Sequence, residues 1–153
     1  MNLRDYIQHY IHCDFYLTQR DIKTKITNYW PTQSIDDEFC VGYGLDGVNG
    51  VEDIRYMKPI LRKLENITDE EIKELIGWDK MRQLYVDVSF EKQQYGVSVY
   101  YKVNTEHGPY PQSYDIHFGN PTPYETIFLL SKGFDLFGLI KLDGAIDAST
   151  LTK

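Results

Sequence analysis

Apolar positions recur along this chain with two different periods, and each change of period marks a new element. Near the start, Leu3, Tyr6, Ile7, Tyr10 and Ile11 are spaced by threes and fours, the repeat of a helix that buries one face. This predicts a short amphipathic helix over residues 3–11, with Asn2 as its N-cap and Asp5 near the positive end of the helix dipole. The period then drops to two. Asp14–Thr18 and Lys23–Tyr29 read as strands, the second rich in β-branched residues. Pro31 closes it, and the polar run Thr32–Glu38 reads as a loop. Glu38-Phe39-Cys40-Val41 leads into a glycine-rich stretch, Gly42 to Gly50. Within it Asn49-Gly50 predicts a tight turn, because both residues tolerate positive φ. Val51–Tyr56 is then expected to pair back as a strand.

The helical period returns at Thr68. Thr68-Asp69-Glu70-Glu71 has the Thr-x-x-Glu spacing of a capping box, with Ile67 placed as a hydrophobic staple. Ile72, Leu75 and Ile76 follow on one face, and Gly77 stops the helix. Leu84–Phe90 and Gly96–Val103 alternate apolar and polar residues and predict a hairpin, with Glu91–Tyr95 as its connection. Tyr114–Phe118 reads as a third strand after a loop, Gly108-Pro109-Tyr110-Pro111. Thr122 caps a further helix with Pro123 in its first position, where the missing N–H costs nothing. That helix runs through Ile127, Phe128 and Leu130 to Gly133. A second apolar patch, Phe134–Ile140, is expected to pack, and the final residues to fray. No repeat or linker interrupts the pattern. The expected architecture is α+β: a small antiparallel sheet packed with about three short helices, in one globular domain over 1–153.

Composition narrows the functional classes. The chain has 153 residues, with 16 Lys and Arg against 23 Asp and Glu, a net charge of −7. Residues 1–35 carry +1, so the excess of acid lies in the remainder. A negative chain draws no phosphate backbone by its bulk field, which disfavours sequence-independent nucleic-acid binding. The longest apolar run, Ile127–Leu130, is far below the ~20 residues of a membrane span, and no basic region followed by an apolar run opens the chain. Cys13 and Cys40 could form one bridge at most. The expectation is a cytoplasmic protein with reduced thiols and no membrane segment. Tyrosine is over-used, with 13 Tyr against 7 Phe and 2 Trp. Its ring packs while its hydroxyl reaches water, which suits half-buried strand faces and interfaces.

Two segments resemble a known group of sequences. Lys58-Pro59-Ile60-Leu61-Arg62-Lys63-Leu64-Glu65-Asn66-Ile67-Thr68-Asp69-Glu70-Glu71 is similar to a stretch of small uncharacterised proteins of Bacteroidetes phages and prophages. Leu129-Leu130-Ser131-Lys132-Gly133-Phe134-Asp135-Leu136-Phe137-Gly138-Leu139-Ile140, followed by Gly144-Ala145-Ile146-Asp147, resembles their C-terminal signature. The opening helix with Tyr10 and Cys13 resembles theirs too. Lys63 departs from the proline usual in that group, which bears on the local turn only. The matching segments cover about a quarter of the chain. The resemblance implies an origin in a phage or mobile element and action in a bacterial cytoplasm. It carries no catalytic residue, cofactor or fold.

Several motifs could carry chemistry. Gly42-x-Gly44-x-x-Gly47 matches the dinucleotide fingerprint as a string, but that motif needs a preceding parallel strand and a following helix N-terminus. The turn expected at Asn49-Gly50 argues for a hairpin instead. His9, His12 and Cys13 lie close in the first helix, with His9 and Cys13 one turn apart. Zinc wants four ligands, or three and a water, and no second cluster is spaced to complete the set. The expected reading has Cys13 in the core, the histidines at the surface, and no metal or cofactor. Asp115 and His117 alternate on a strand and so share a face. With Glu106 and His107 nearby, an acid and a base on one face would suit hydrolysis or metal-assisted phosphate cleavage. No nucleophile signature accompanies them. Of the acidic runs, Asp69-Glu70-Glu71 is explained by the helix dipole, whereas Asp36-Asp37-Glu38 has no local role. The expected function is a non-enzymatic accessory protein that binds a host or phage protein through a tyrosine-bearing surface, one version being an acidic inhibitor of a host factor. A small hydrolase or nuclease using Asp115, His117, Glu106 or His107 is the alternative. A minor assembly component that self-associates through Phe134–Ile140 is the third.

Overall fold

The structure, a computed structural model, describes residues 6–10, 12–19, 21–29, 40–45, 48–53 and 56–151. It has the expected α+β character: antiparallel sheets with three short helices and a single helical turn near the start. Its contacts cluster into two compact units. The first takes Met1–Arg62 and Leu129–Lys153; the second is Lys63–Phe128.

The first unit is built on a six-stranded sheet. A helical turn, α1 (Ile7–Tyr10), precedes β1 (Asp14–Leu17), β2 (Ile22–Tyr29), β3 (Cys40–Leu45), β4 (Val48–Asp53) and β5 (Met57–Leu61). A two-residue strand, β9 (Ile146–Asp147), completes it in the order β4-β3-β2-β1-β5-β9. Every pairing is antiparallel except β5 with β9. The turn expected at Asn49-Gly50 does not form there. Leu45 pairs with Val48, Gly44 with Asn49 and Tyr43 with Gly50, so Asn49 and Gly50 are paired strand residues of β4; Asp46 and Gly47 lie outside the described residues. Strand register, not the local turn preference of Asn-Gly, decides the role of these two residues. The fingerprint glycines Gly42 and Gly44 therefore lie in a strand paired antiparallel with β4, not in a strand-to-helix turn; Gly47 lies outside the described residues. The polar run Thr32–Glu38 and the N-cap Asn2 lie outside the described residues.

Tyr10, Phe15, Leu17, Met57, Leu61, Leu130, Leu139 and Ala145 are buried together with Cys13, and Leu136, Phe137 and Ile140 pack against them. Phe15 and Leu17 point inward from alternate positions of β1, as do Met57, Pro59 and Leu61 from β5. The apolar patch Phe134–Ile140 is thus consumed by this core, with Phe134 and Leu139 out of contact with solvent. Leu136, Phe137 and Ile140 stay partly buried, so the expected packing of the patch is met while some of its surface remains accessible. Asp135 shapes the segment: its two carboxylate oxygens accept the N–H groups of Leu139 and Ile140, each at 2.8 Å.

The second unit opens with a 3₁₀ turn at Leu64–Asn66 and continues through α2 (Asp69–Ile76), α3 (Trp78–Leu84), β6 (Val86–Gln93), β7 (Gly96–Thr105) and β8 (Gly108–His117). The last helix, α4 (Pro123–Ser131), begins in this unit and ends in the first. The capping box forms in full. Thr68 accepts from the Glu71 N–H, Glu71 accepts from the Thr68 N–H at 2.9 Å, and Gly77 ends the helix at φ 65°. Thr122 and Glu125 repeat the device at α4, with the Thr122 N–H donating to Glu125 Oε2 at 2.7 Å. The pattern missed α3, which takes residues 78–83, for which no element was expected, and Leu84, which was expected to open the strand. The hairpin connection is also tighter than expected: β6 runs to Gln93, and Gln94 and Tyr95 alone make the turn.

The third strand is longer than its pattern suggested. Gly108-Pro109-Tyr110-Pro111, expected as loop, is strand paired throughout with β7. Sheet order β6-β7-β8 leaves β8 on an edge, where a proline N can point outward and no ladder bond is lost.

Candidate functional site

Residues paired across an antiparallel ladder share a face, and that face changes at every step. On one side of the second unit's sheet lie Phe90, Val97, Val99, Tyr101, Ile116, Tyr114 and Tyr110; on the other lie Glu91, Ser98, Tyr100, Asp115 and His117. The first side carries the buried Val97, Val99 and Ile116. The second is polar and holds the Asp115–His117 pair read from the sequence.

Asp115 and His117 line one open cavity of about 340 Å³, together with Ser98, Gln93, Gln94 and Tyr95. The arrangement includes a neighbour that sequence alone did not single out. Ser98 lies opposite Asp115 in register and donates its hydroxyl hydrogen to Asp115 Oδ1 at 2.6 Å. A serine, a histidine and an aspartate are therefore adjacent, but in the wrong order for nucleophilic catalysis. A triad requires the imidazole between hydroxyl and carboxylate, so that the base takes the hydroxyl proton. Here the hydroxyl bonds the carboxylate directly, and the His117 imidazole bonds neither.

Glu106 and His107 do not join this group. They form the two-residue turn between Thr105 and Gly108, which pair with each other. Seven ladder steps separate that end from the Ser98–Asp115 pair, or about 23 Å at ~3.3 Å per step. The four candidates are thus two pairs at opposite ends of a ribbon.

The His9–His12–Cys13 cluster is also dispersed. The expected helix over 3–11 is described only as Ile7–Tyr10, and Cys13 lies beyond its end, so the one-turn spacing of His9 and Cys13 is lost. His9 packs on Phe137, with ring centroids 5.4 Å apart. His12 Nε2 is 2.7 Å from the Leu130 carbonyl and 3.5 Å from Cys13 Sγ. A carbonyl only accepts, so Nε2 carries the proton and cannot take one from the thiol. Burial pushes the Cys13 thiol up to about 11, with Asp14 adding to the shift. The pair is not an activated nucleophile. Among the described residues no group of three or more His, Cys, Asp or Glu is placed to hold a metal.

The most distinctive surface is aromatic. Tyr85 packs on Tyr101 with centroids 4.5 Å apart, and Tyr101 meets Tyr114 edge-on at 6.3 Å. Tyr101 and Tyr114 are diagonal neighbours on the apolar side of the sheet, beyond the part occupied by Val97, Val99 and Ile116. At the buried end, Trp78 of α3 meets Phe90 edge-on at 5.6 Å. At the far end the rings are open: Tyr114 is 38% exposed and Tyr110 60%. Burial raises the Tyr114 hydroxyl above its ordinary value, and Tyr101, the Glu125 carboxylate and Tyr85 add to this. Strand alternation could have shown that Tyr101, Tyr110 and Tyr114 share a face. Tyr85 could not be placed, because a bulge at Asp87, with φ 53°, interrupts the register of β6.

Comparison with known proteins places the chain beside none of them: no protein-family model, curated protein or solved structure matches it. Among the described residues no helix is long and apolar enough to cross a membrane.

Proposed function

We propose that the protein is a non-enzymatic interaction module, an accessory protein of phage or prophage origin that binds another protein in the cytoplasm of a bacterial host. One observation carries this reading. The second unit exposes eight large apolar side chains, and five of them are tyrosines. Tyrosine supplies contact area with few rotors to immobilise, which favours it at interfaces. The unit is also acidic, with six Lys and Arg against eleven Asp and Glu over residues 63–128. A basic partner surface suits it, in line with an acidic inhibitor that occupies a basic groove of a host factor. The test is affinity capture of the tagged protein from its host, with and without infection. A stoichiometric partner lost on replacing Tyr110 and Tyr124 with serine is expected. No saturable partner, beside a working positive control, would overturn the proposal.

A second reading rests on the cavity shared by Ser98, Asp115 and His117. It makes the protein a small hydrolase with His117 as the base. Turnover of a hydrolase substrate panel, abolished by His117→Ala with the fold intact, would favour it. A flat panel with and without added divalent metal would remove it.

A further inference from the structure

The interaction reading leaves the partner's chemistry open, and the tyrosine face narrows it. Tyr85, Tyr101 and Tyr114 form a continuous row of rings, the first two half-buried and Tyr114 exposed at its end. Glu125, half-buried on α4, acts electrostatically on the Tyr114 hydroxyl. Its Oε2 is committed to the Thr122 N–H, while Oε1 has no hydrogen bond or ion pair among the described residues. Lys92, on the same side of the sheet, is held by the Ile67 carbonyl at 2.8 Å and by Asp69 at 2.9 Å. Lys102, the cation of the neighbouring register, lies on the opposite side of the sheet and is held by Asp87 at 2.6 Å. Ring faces attract cations, and an adjacent carboxylate with a free oxygen adds a directed acceptor. A planar guanidinium satisfies both at once, stacking on a ring while its N–H groups reach the carboxylate; a compact ammonium cannot do so equally.

We propose that Tyr85, Tyr101, Tyr114 and Glu125 form a docking platform for an arginine side chain carried on a basic segment of the partner protein. The proposal rests on the interaction reading above. The probes are labelled nona-arginine and nona-lysine peptides, titrated against the full chain at physiological salt. Nona-arginine should bind saturably and nona-lysine about tenfold more weakly. Tyr114→Leu should weaken nona-arginine by about tenfold and Glu125→Gln by about fivefold. Glutamine still serves the capping box, so Glu125→Gln reports on charge with the helix start intact. Tyr114→Phe keeps the ring and should stay within about twofold of the parent. Glu91→Gln, on the other side of the sheet, should do the same and separates the platform from the bulk field. Equal affinity for the two peptides, equal weakening by Glu91→Gln, or no binding of nona-arginine would each overturn the platform. A host partner captured equally by the parent and by Tyr114→Leu would also overturn it while leaving the broader reading standing. Peptide binding as described with no host partner would instead overturn the broader reading and leave the platform.

Discussion

Gly96 sits where the first residue of β7 meets the last residue of β8. A methyl group added there would lie 2.1 Å from the Ile116 carbonyl oxygen and 3.2 Å from its carbon. An ordinary carbon–oxygen contact is about 3.3 Å, so Gly96→Ala must move the two backbones apart by about 1.2 Å. Both clashing atoms are main chain, so no rotamer can relieve them. The displacement falls on the Gly96–His117 pair and on the neighbouring bond from the Phe118 N–H to the Tyr95 carbonyl, 2.9 Å long. Losing one or two such bonds costs about 1 kcal/mol each, and overpacking strain adds about 1–3 kcal/mol. The unfolded chain loses entropy on gaining a Cβ, which returns about 0.4–1 kcal/mol. The net expectation is a loss of about 2–4 kcal/mol, or a fall in midpoint temperature of about 5–15 °C for a chain of this size. Gly119→Ala is the internal control. Nothing lies within 4 Å of the added methyl, and the backbone there is not in the left-handed region, so the variant should match or slightly exceed the parent. Urea denaturation followed by circular dichroism measures both. If Gly96→Ala stays within about 0.5 kcal/mol of Gly119→Ala, the close approach of β7 and β8, and the register that defines both faces of the sheet, would be wrong.

Three further outcomes are expected. Asp135→Ala removes the acceptor for the Leu139 and Ile140 N–H groups and should cost about 2–3 kcal/mol in urea denaturation, since bonds to a charged acceptor exceed neutral ones; an effect below about 0.5 kcal/mol would show that solvent replaces them. Thr68→Ala breaks the capping box and should cost about 1 kcal/mol, while Thr68→Ser should be close to neutral; equal stability of all three proteins would contradict the cap. Burial raises the Cys13 thiol from 9.0 to about 11, so the folded state holds this proton where the unfolded state releases it. The stabilisation is complete below pH 9 and is lost as pH rises toward 11. Cys13→Ala should flatten that part of the stability profile, and an unchanged slope would assign it to other groups.

Contacts between residues three or four apart were readable from the chain. The Thr68–Glu71 box, the Thr122–Glu125 cap and the Gly77 stop each involve groups that meet as soon as one helical turn forms, so spacing alone determines them. The shared face of Asp115 and His117 follows from strand alternation in the same way. Where two local readings compete, tertiary packing decides. Asn49-Gly50 reads locally as a turn, yet pairing with Gly44 and Tyr43 makes both residues part of a strand. Pro109 and Pro111 read as loop until β8 is known to be an edge. Leu84 reads as the first residue of an alternating strand, yet it closes α3, whose Trp78 gains a partner in Phe90 from a different element. The candidate site depends most on such distant meetings. Ser98 reaches Asp115 across 17 residues, and His12 reaches the Leu130 carbonyl across 118. Glu106 and His107, near Asp115 in sequence, end about 23 Å away along the ribbon. No local rule encodes these distances: closing a long loop costs entropy that only the whole core's burial offsets. Tertiary structure therefore divides the sequence's candidates into a bonded Ser98–Asp115 pair, an inert buried thiol and a row of tyrosines exposed at one end.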